Sequence, residues 1–196
     1  MRTARDLREP PVASIVPSVV ATTPRIAPRD TPMARDQWRA IVIYDSGSPA
    51  GDVAALERRH LDAGLSGLGY HFVIGNGQGM EDGQVAVGFR WECQLAGAHA
   101  NAAMRAPWPL RAHEAPLSSV DLNRRAIAVC LVGNGERRAF TDRQAHELLS
   151  LVRALQAELG IGSQAVFFHG ELTPGASGPG GSGQFQPETF RAQLLP

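Results

Sequence analysis

The side chains able to do chemistry in this sequence are few and well separated. His71 follows Tyr70 inside a short apolar run, His99 sits within Gly97-Ala98-His99-Ala100, and His169 comes directly after the apolar stretch ending in Phe168. An imidazole in such a place can ligate a metal, hydrogen-bond a sugar or peptide, or simply cap the end of a strand. For His169 all three uses stand open: a ligand kept as a relic, a ligand in a rearranged set, or a cap. His71 neighbours Tyr70 and so points to the other face of its strand, where a packed histidine is expected. His60, His113 and His146 belong to helix surface or loop.

The two cysteines, Cys93 and Cys130, form no CxxC pair, so neither a zinc ribbon nor a dense disulfide framework is available. Each is expected to be a small buried hydrophobe. The loop Gly175 to Gly183 lacks the lysine and strand-to-helix turn of a phosphate-binding motif. Trp91 and Trp108 flank the His99 segment; their rings could stack on sugars, although core packing is the commoner use.

These residues need a scaffold, and the patterning supplies one. Ala40 to Tyr44 is a β-branched run ended by a Ser-Gly-Ser-Pro turn; Tyr70 to Ile74 is a second strand closed by Gly75-Asn76-Gly77. Ala126 to Val132 is unbroken and apolar, as a central strand buried on both faces would be. Ala165 to Phe168 is a further strand, and Gln84 to Val87 and Phe89 to Glu92 read as short extended pieces. Helices fall between them. One is opened by Asp52 and stopped by Gly64. Another has Thr141 and Gln144 at capping-box spacing, a stripe of Ala145, Leu148, Val152, Leu155 and Leu159, and Gly160 at its end. A short terminal helix starts at Pro187. The fold class is α/β, a central mixed β-sheet covered by helices.

Residues 1–36 are different in kind, rich in proline and arginine with little periodic apolar patterning, and read as a disordered arm preceding one domain over 37–196. Val12 to Val20 follows Arg2, Arg5 and Arg8 in the order of a secretory signal, but Pro17 interrupts it and no clear A-x-A site follows. With 19 basic and 19 acidic residues the chain has no electrostatic footprint for nucleic acid. No apolar run reaches the roughly 20 residues of a transmembrane helix.

Four stretches, Ile41-Val42-Ile43 leading a turn, Leu68 to Ile74, Gly97 to Ala100 and Ile127 to Asn134, occur in an order that resembles the zinc-dependent N-acetylmuramoyl-L-alanine amidases and peptidoglycan recognition proteins. Phe140 to Gln144 opening the long helix and His169 after the last strand extend the resemblance from about Trp38 to Leu195. It implies a peptidoglycan or muropeptide ligand, a periplasmic or cell-wall-facing location if the family role is kept, and cleavage of the amide between the lactyl group of N-acetylmuramic acid and L-alanine. The family's zinc ligands are a histidine ending the first strand, a histidine after the last strand, and a cysteine, aspartate or histidine shortly beyond it.

Of these, His169 remains. The first-strand position matches Tyr44, with Ser46 in register, and the third falls on Ser177, or on Gly178 if the loop carries an insertion. A phenol with pKa about 10 and a serine hydroxyl are poor zinc donors. Asp45, His99 and Glu171 are the candidates for a rearranged ligand set, although Asp45 follows Tyr44 directly and points to the opposite face. The resemblance gives Tyr70 a place beside the metal, where it assists the tetrahedral intermediate, and gives His99 and Asn123 places along the substrate groove. The expectation is an amidase-like domain that binds peptidoglycan or stem peptide and has lost zinc-dependent hydrolysis, with no cofactor. The alternatives are an active amidase with rewired zinc ligands and a scaffold turned to binding another protein.

Overall fold

The computed structural model describes residues 26–173 and 186–196; the proposed arm before residue 26, the position Ser177 and most of the glycine-rich loop lie outside them. In chain order the elements are β1 (Ala40–Asp45), α1 (Val53–Asp62), β2 (Phe72–Ile74), β3 (Val85–Val87), α2 (Phe89–Glu92), α3 (Ser119–Arg125), β4 (Ala126–Leu131), α4 (Asp142–Leu159), β5 (Val166–Phe168), α5 (His169–Leu172) and α6 (Pro187–Arg191). The sheet runs β3-β2-β4-β1-β5. Three of its four pairings are parallel; the fourth sets the edge strand β3 antiparallel on β2.

Every residue of β4 is buried, which is what its continuous apolar sequence requires of a strand with helices on both sides. The parallel register sets Ala40 beside Ala126 and Tyr44 beside Cys130, so the ends of β1 and β4 are level. Helix α4 packs Leu148, Leu151, Val152 and Leu155 onto the sheet. Its capping box is complete, with Thr141 Oγ1 accepting from Gln144 N–H and Gln144 Oε1 accepting from Thr141 N–H. Gly160 ends it at φ 66°, a left-handed conformation that suits glycine.

Three expectations need correction. Phe89 to Glu92 is not extended but a single helical turn, α2, following Gly88; its alternation of Phe89 and Trp91 imitates a strand, yet Trp91 is fully buried while Phe89 is partly exposed. Cys93, expected inside, ends that turn and is exposed, whereas Cys130 is buried as expected. The domain also begins before residue 37. Trp91 Nε1 donates to the Ile26 carbonyl at 2.7 Å, Ala34 N–H donates to Gln94 Oε1 at 3.0 Å, and Arg35 pairs with Glu158. Ile26 and Met33 pack on the core, so residues 26–36 lie along the domain. Helix α3 had not been read, although Ser118 and Asp121 form its capping box.

Candidate functional site

Strand β1 delivers Tyr44 to its carboxyl end, where the ring is almost fully buried and becomes the floor of an aromatic cluster. Its centroid lies 5.4 Å from Tyr70, 5.0 Å from His169 and 5.4 Å from His99. Those three side chains come from different parts of the chain: the approach to β2, the start of α5 after β5, and the loop after α2. All three keep partial solvent contact around the buried Tyr44 ring.

The hydrogen bonds fix the histidine tautomers. His99 Nε2 faces the Ala126 carbonyl at 3.3 Å and therefore carries the proton, which leaves Nδ1 to accept from the Tyr44 hydroxyl at 2.8 Å. His71 is arranged similarly, with Nδ1 accepting from Ala128 N–H at 2.9 Å and Nε2 donating to the Leu95 carbonyl at 3.1 Å. Both imidazoles are held neutral. Burial pushes His71 down to about 4, and burial followed by the neighbouring His71 pushes His99 down to about 3. His71 is thus a satisfied core histidine, stacked edge-on against Trp38, as the strand alternation implied.

The phenols are neutral too. Burial raises the Tyr44 hydroxyl well above its usual value, with Tyr70 and Cys130 adding to it; burial and then Cys130 do the same for Tyr70. The Cys130 thiol is itself raised by burial.

Asn123 acts on the site through the backbone. Its Oδ1 accepts from both His99 N–H and Ala100 N–H at 2.8 Å, and its Nδ2 donates to the Ala100 carbonyl at 3.0 Å. All three of these bonds hold the segment that carries His99. Close approach then dictates the glycines: a Cβ on Gly69 would stand 2.3 Å from the Ala98 carbonyl oxygen, and one on Gly97 would stand 2.3 Å from the His99 ring. His60 was assigned to a helix surface, but its Nδ1 accepts from Gly69 N–H at 2.8 Å and its ring meets Tyr70 edge-on at 5.0 Å. Helical spacing had set it in line with Val53 and Leu56, and the chain folding back at Gly69 covers it.

The carboxylates considered as replacement ligands are committed elsewhere. Asp45 accepts from Gly47 N–H at 3.2 Å and Gly135 N–H at 2.9 Å, pinning the turns after β1 and β4. Glu171 receives Arg191 on both oxygens at 2.6 Å and Phe168 N–H at 2.8 Å. Trp108 lies apart, donating to the Gln164 carbonyl and packing on Phe167.

Among the described residues no three His, Cys, Asp or Glu side chains come together as a metal site. Beside His169 stands a buried phenol that burial keeps protonated and that already donates to His99. That donor set does not fit zinc, which binds thiolate, neutral imidazole or carboxylate. As a base, an imidazole held at about 3 is weak. The cluster can offer aromatic faces and neutral hydrogen-bond partners to a ligand.

A family profile described as N-acetylmuramoyl-L-alanine amidase matches residues 34–181. A search among curated proteins returned no match. Among solved structures the chain is similar to the N-acetylmuramoyl-L-alanine amidase LysC from Clostridium intestinale, with 22% identity, TM-score 0.59, and 83% of this chain and 89% of that one covered. It is similar to bumblebee PGRP-SA, with 17% identity, TM-score 0.55 and coverage of 82% and 85%. It is also similar to peptidoglycan recognition protein LE in complex with tracheal cytotoxin, a monomeric diaminopimelic acid-type peptidoglycan, with 14% identity, TM-score 0.57 and coverage of 86% and 89%. At these identities the structural likeness establishes the fold.

Proposed function

Since the chain belongs to the N-acetylmuramoyl-L-alanine amidase family, whose profile spans residues 34–181, we propose that it binds peptidoglycan fragments in the cleft over Tyr44 without zinc-dependent hydrolysis. The observation that carries this reading is the Tyr44 hydroxyl bonded to His99 Nδ1. The first-strand ligand position holds a donor that would have to lose a proton in a buried site before it could bind zinc, and burial opposes that loss.

Tyr70, His99 and His169 line the walls and supply ring faces of the kind that stack on sugars, with Asn123 holding the His99 segment in place. Tyr70 keeps its position beside the cleft, and its protonated hydroxyl can donate to a ligand carbonyl. The partner expected from the family is a muropeptide or stem peptide, as tracheal cytotoxin is for the recognition protein named above. A rewired zinc enzyme would need Asp45 or Glu171 to leave backbone amides and, for Glu171, the Arg191 guanidinium. No observation favours that exchange.

Zinc titration of chelator-treated full-length protein tests the reading. No uptake at micromolar zinc is expected; stoichiometric uptake abolished by His169→Ala would make the amidase reading lead instead.

A further inference from the structure

The arginine pair at the amino ends of β1 and β4 lies at the other end of the sheet from the Tyr44 cluster. Arg39 N–H donates to the Arg125 carbonyl at 2.8 Å, and the next residues, Ala40 and Ala126, are register partners. Arg39, just before β1, and Arg125, the last residue of α3, therefore stand at the same level at the margin of the sheet. Among the described residues neither has a carboxylate hydrogen-bond or ion-pair partner: Arg39 Nε makes a long 3.5 Å contact to the Asp36 carbonyl, and Arg125 makes no side-chain hydrogen bond.

Two concavities meet at this pair. One, of about 240 Å³, has Trp38, Leu117, Leu159 and Ile161 in its wall, with Arg35 and Arg111 at its margin. The other, of about 510 Å³, adds Arg124. Arg39, Arg125 and Asp36 line both. The acids nearby are largely engaged. Asp121, in the second concavity, is held first by Ser118 in the α3 cap, with Arg125 and Arg124 adding smaller attractions; Glu114 lies 4.0 Å from Arg111, and Arg35 is paired with Glu158. Asp36 is the acidic side chain common to both concavities, against two guanidiniums.

We infer that Arg39 and Arg125 form an anion-binding site for a phosphate group, presented by a small phosphate ester or a phospholipid headgroup. A guanidinium stays charged at any physiological pH and offers paired N–H donors that match phosphate oxygens, and two such forks side by side suit a tetrahedral dianion. Leu110 and Leu159, the partly exposed apolar residues of the first concavity, receive the organic part of the ligand. The site shares no residue with the Tyr44 cleft, so it stands whether or not that cleft binds peptidoglycan.

The test is a calorimetric titration of full-length protein with inorganic pyrophosphate at constant ionic strength, beside co-sedimentation with phosphatidylglycerol and phosphatidylcholine vesicles. Saturable pyrophosphate binding identifies a soluble ester as the source, and binding to phosphatidylglycerol vesicles alone identifies the headgroup. In either case Arg39→Gln with Arg125→Gln should weaken binding at least tenfold, and Arg58→Gln, an exposed change on α1, should not. Arg39→Lys with Arg125→Lys keeps the charge, removes the forks, and should fall between, so the result does not depend on the glutamine variant being well folded. Absence of binding in both arms, or equal binding by the wild type and the lysine variant, overturns the proposal.

Discussion

At Tyr44 the phenolic proton is committed to His99 Nδ1, and the same contact sets which nitrogen of His99 carries its proton. Tyr44→Phe keeps the ring and strands a buried acceptor. A loss of about 1–3 kcal/mol is expected in urea unfolding, with no gain of zinc affinity. His71 gives a second test at this scale, with the sign set by its depressed value. Folded His71 protonates at about 4 and an unfolded histidine at about 6.5, so between those values the unfolded chain binds more protons. Stability is therefore full above about pH 6.5 and falls as pH drops toward 4, by roughly 3 kcal/mol from this group. His71→Gln should reduce the slope of unfolding free energy between pH 7 and 4.5, with His99, held lower still, keeping the remainder, and an unchanged slope would remove His71 as a cause. Alternation along the expected strand Tyr70 to Ile74 told Tyr70 and His71 apart, although β2 itself starts only at Phe72. His60 could not be read that way, because its burial against Gly69 and Tyr70 arises only when distant segments meet.

Helix α4 was legible from its ends because caps are local chemistry: Thr141 and Gln144 bond each other's backbone across three residues. Thr141→Ala should cost about 1 kcal/mol from the cap, and somewhat more because Thr141 Oγ1 also donates to Asp82 at 2.6 Å. The second role of Gln144 was not legible. Its buried Nε2 donates to the carbonyls of Ile74 and Val132, tying the helix to the ends of β2 and β4. Gln144→Leu leaves both carbonyls without that donor and should lower the thermal midpoint more than Thr141→Ala does. The reverse order would show that the helix is held by its cap more than by this tie. Two short helices were lost for opposite reasons. In α2 an alternating Phe89 and Trp91 resembled a strand, while in α3 the cap signal of Ser118 and Asp121 was present but the helix is only seven residues long.

Across the whole molecule, what the sequence could not reveal is where the amino-terminal segment goes. Proline and arginine content marks residues 1–36 as unlike the domain, yet a clip built on Gln94 draws the later part in. Gln94 Oε1 accepts from Ala34 N–H and Trp38 Nε1, and its Nε2 donates to the Trp91 carbonyl. A chain starting at residue 37 should therefore unfold at a lower temperature than one starting at residue 26. Equal midpoints would mean that the Ile26, Ala34 and Arg35 contacts contribute nothing to stability. The profile match over residues 34–181 places this chain in the amidase family, and the claim that matters most is binding without cutting. The most direct measurement is calorimetric titration of a purified muropeptide into full-length protein in excess chelator, with the mixture analysed afterwards for released stem peptide. Saturable binding with the muropeptide recovered intact is the expected result. No binding, or stem peptide released once zinc is restored, would contradict it.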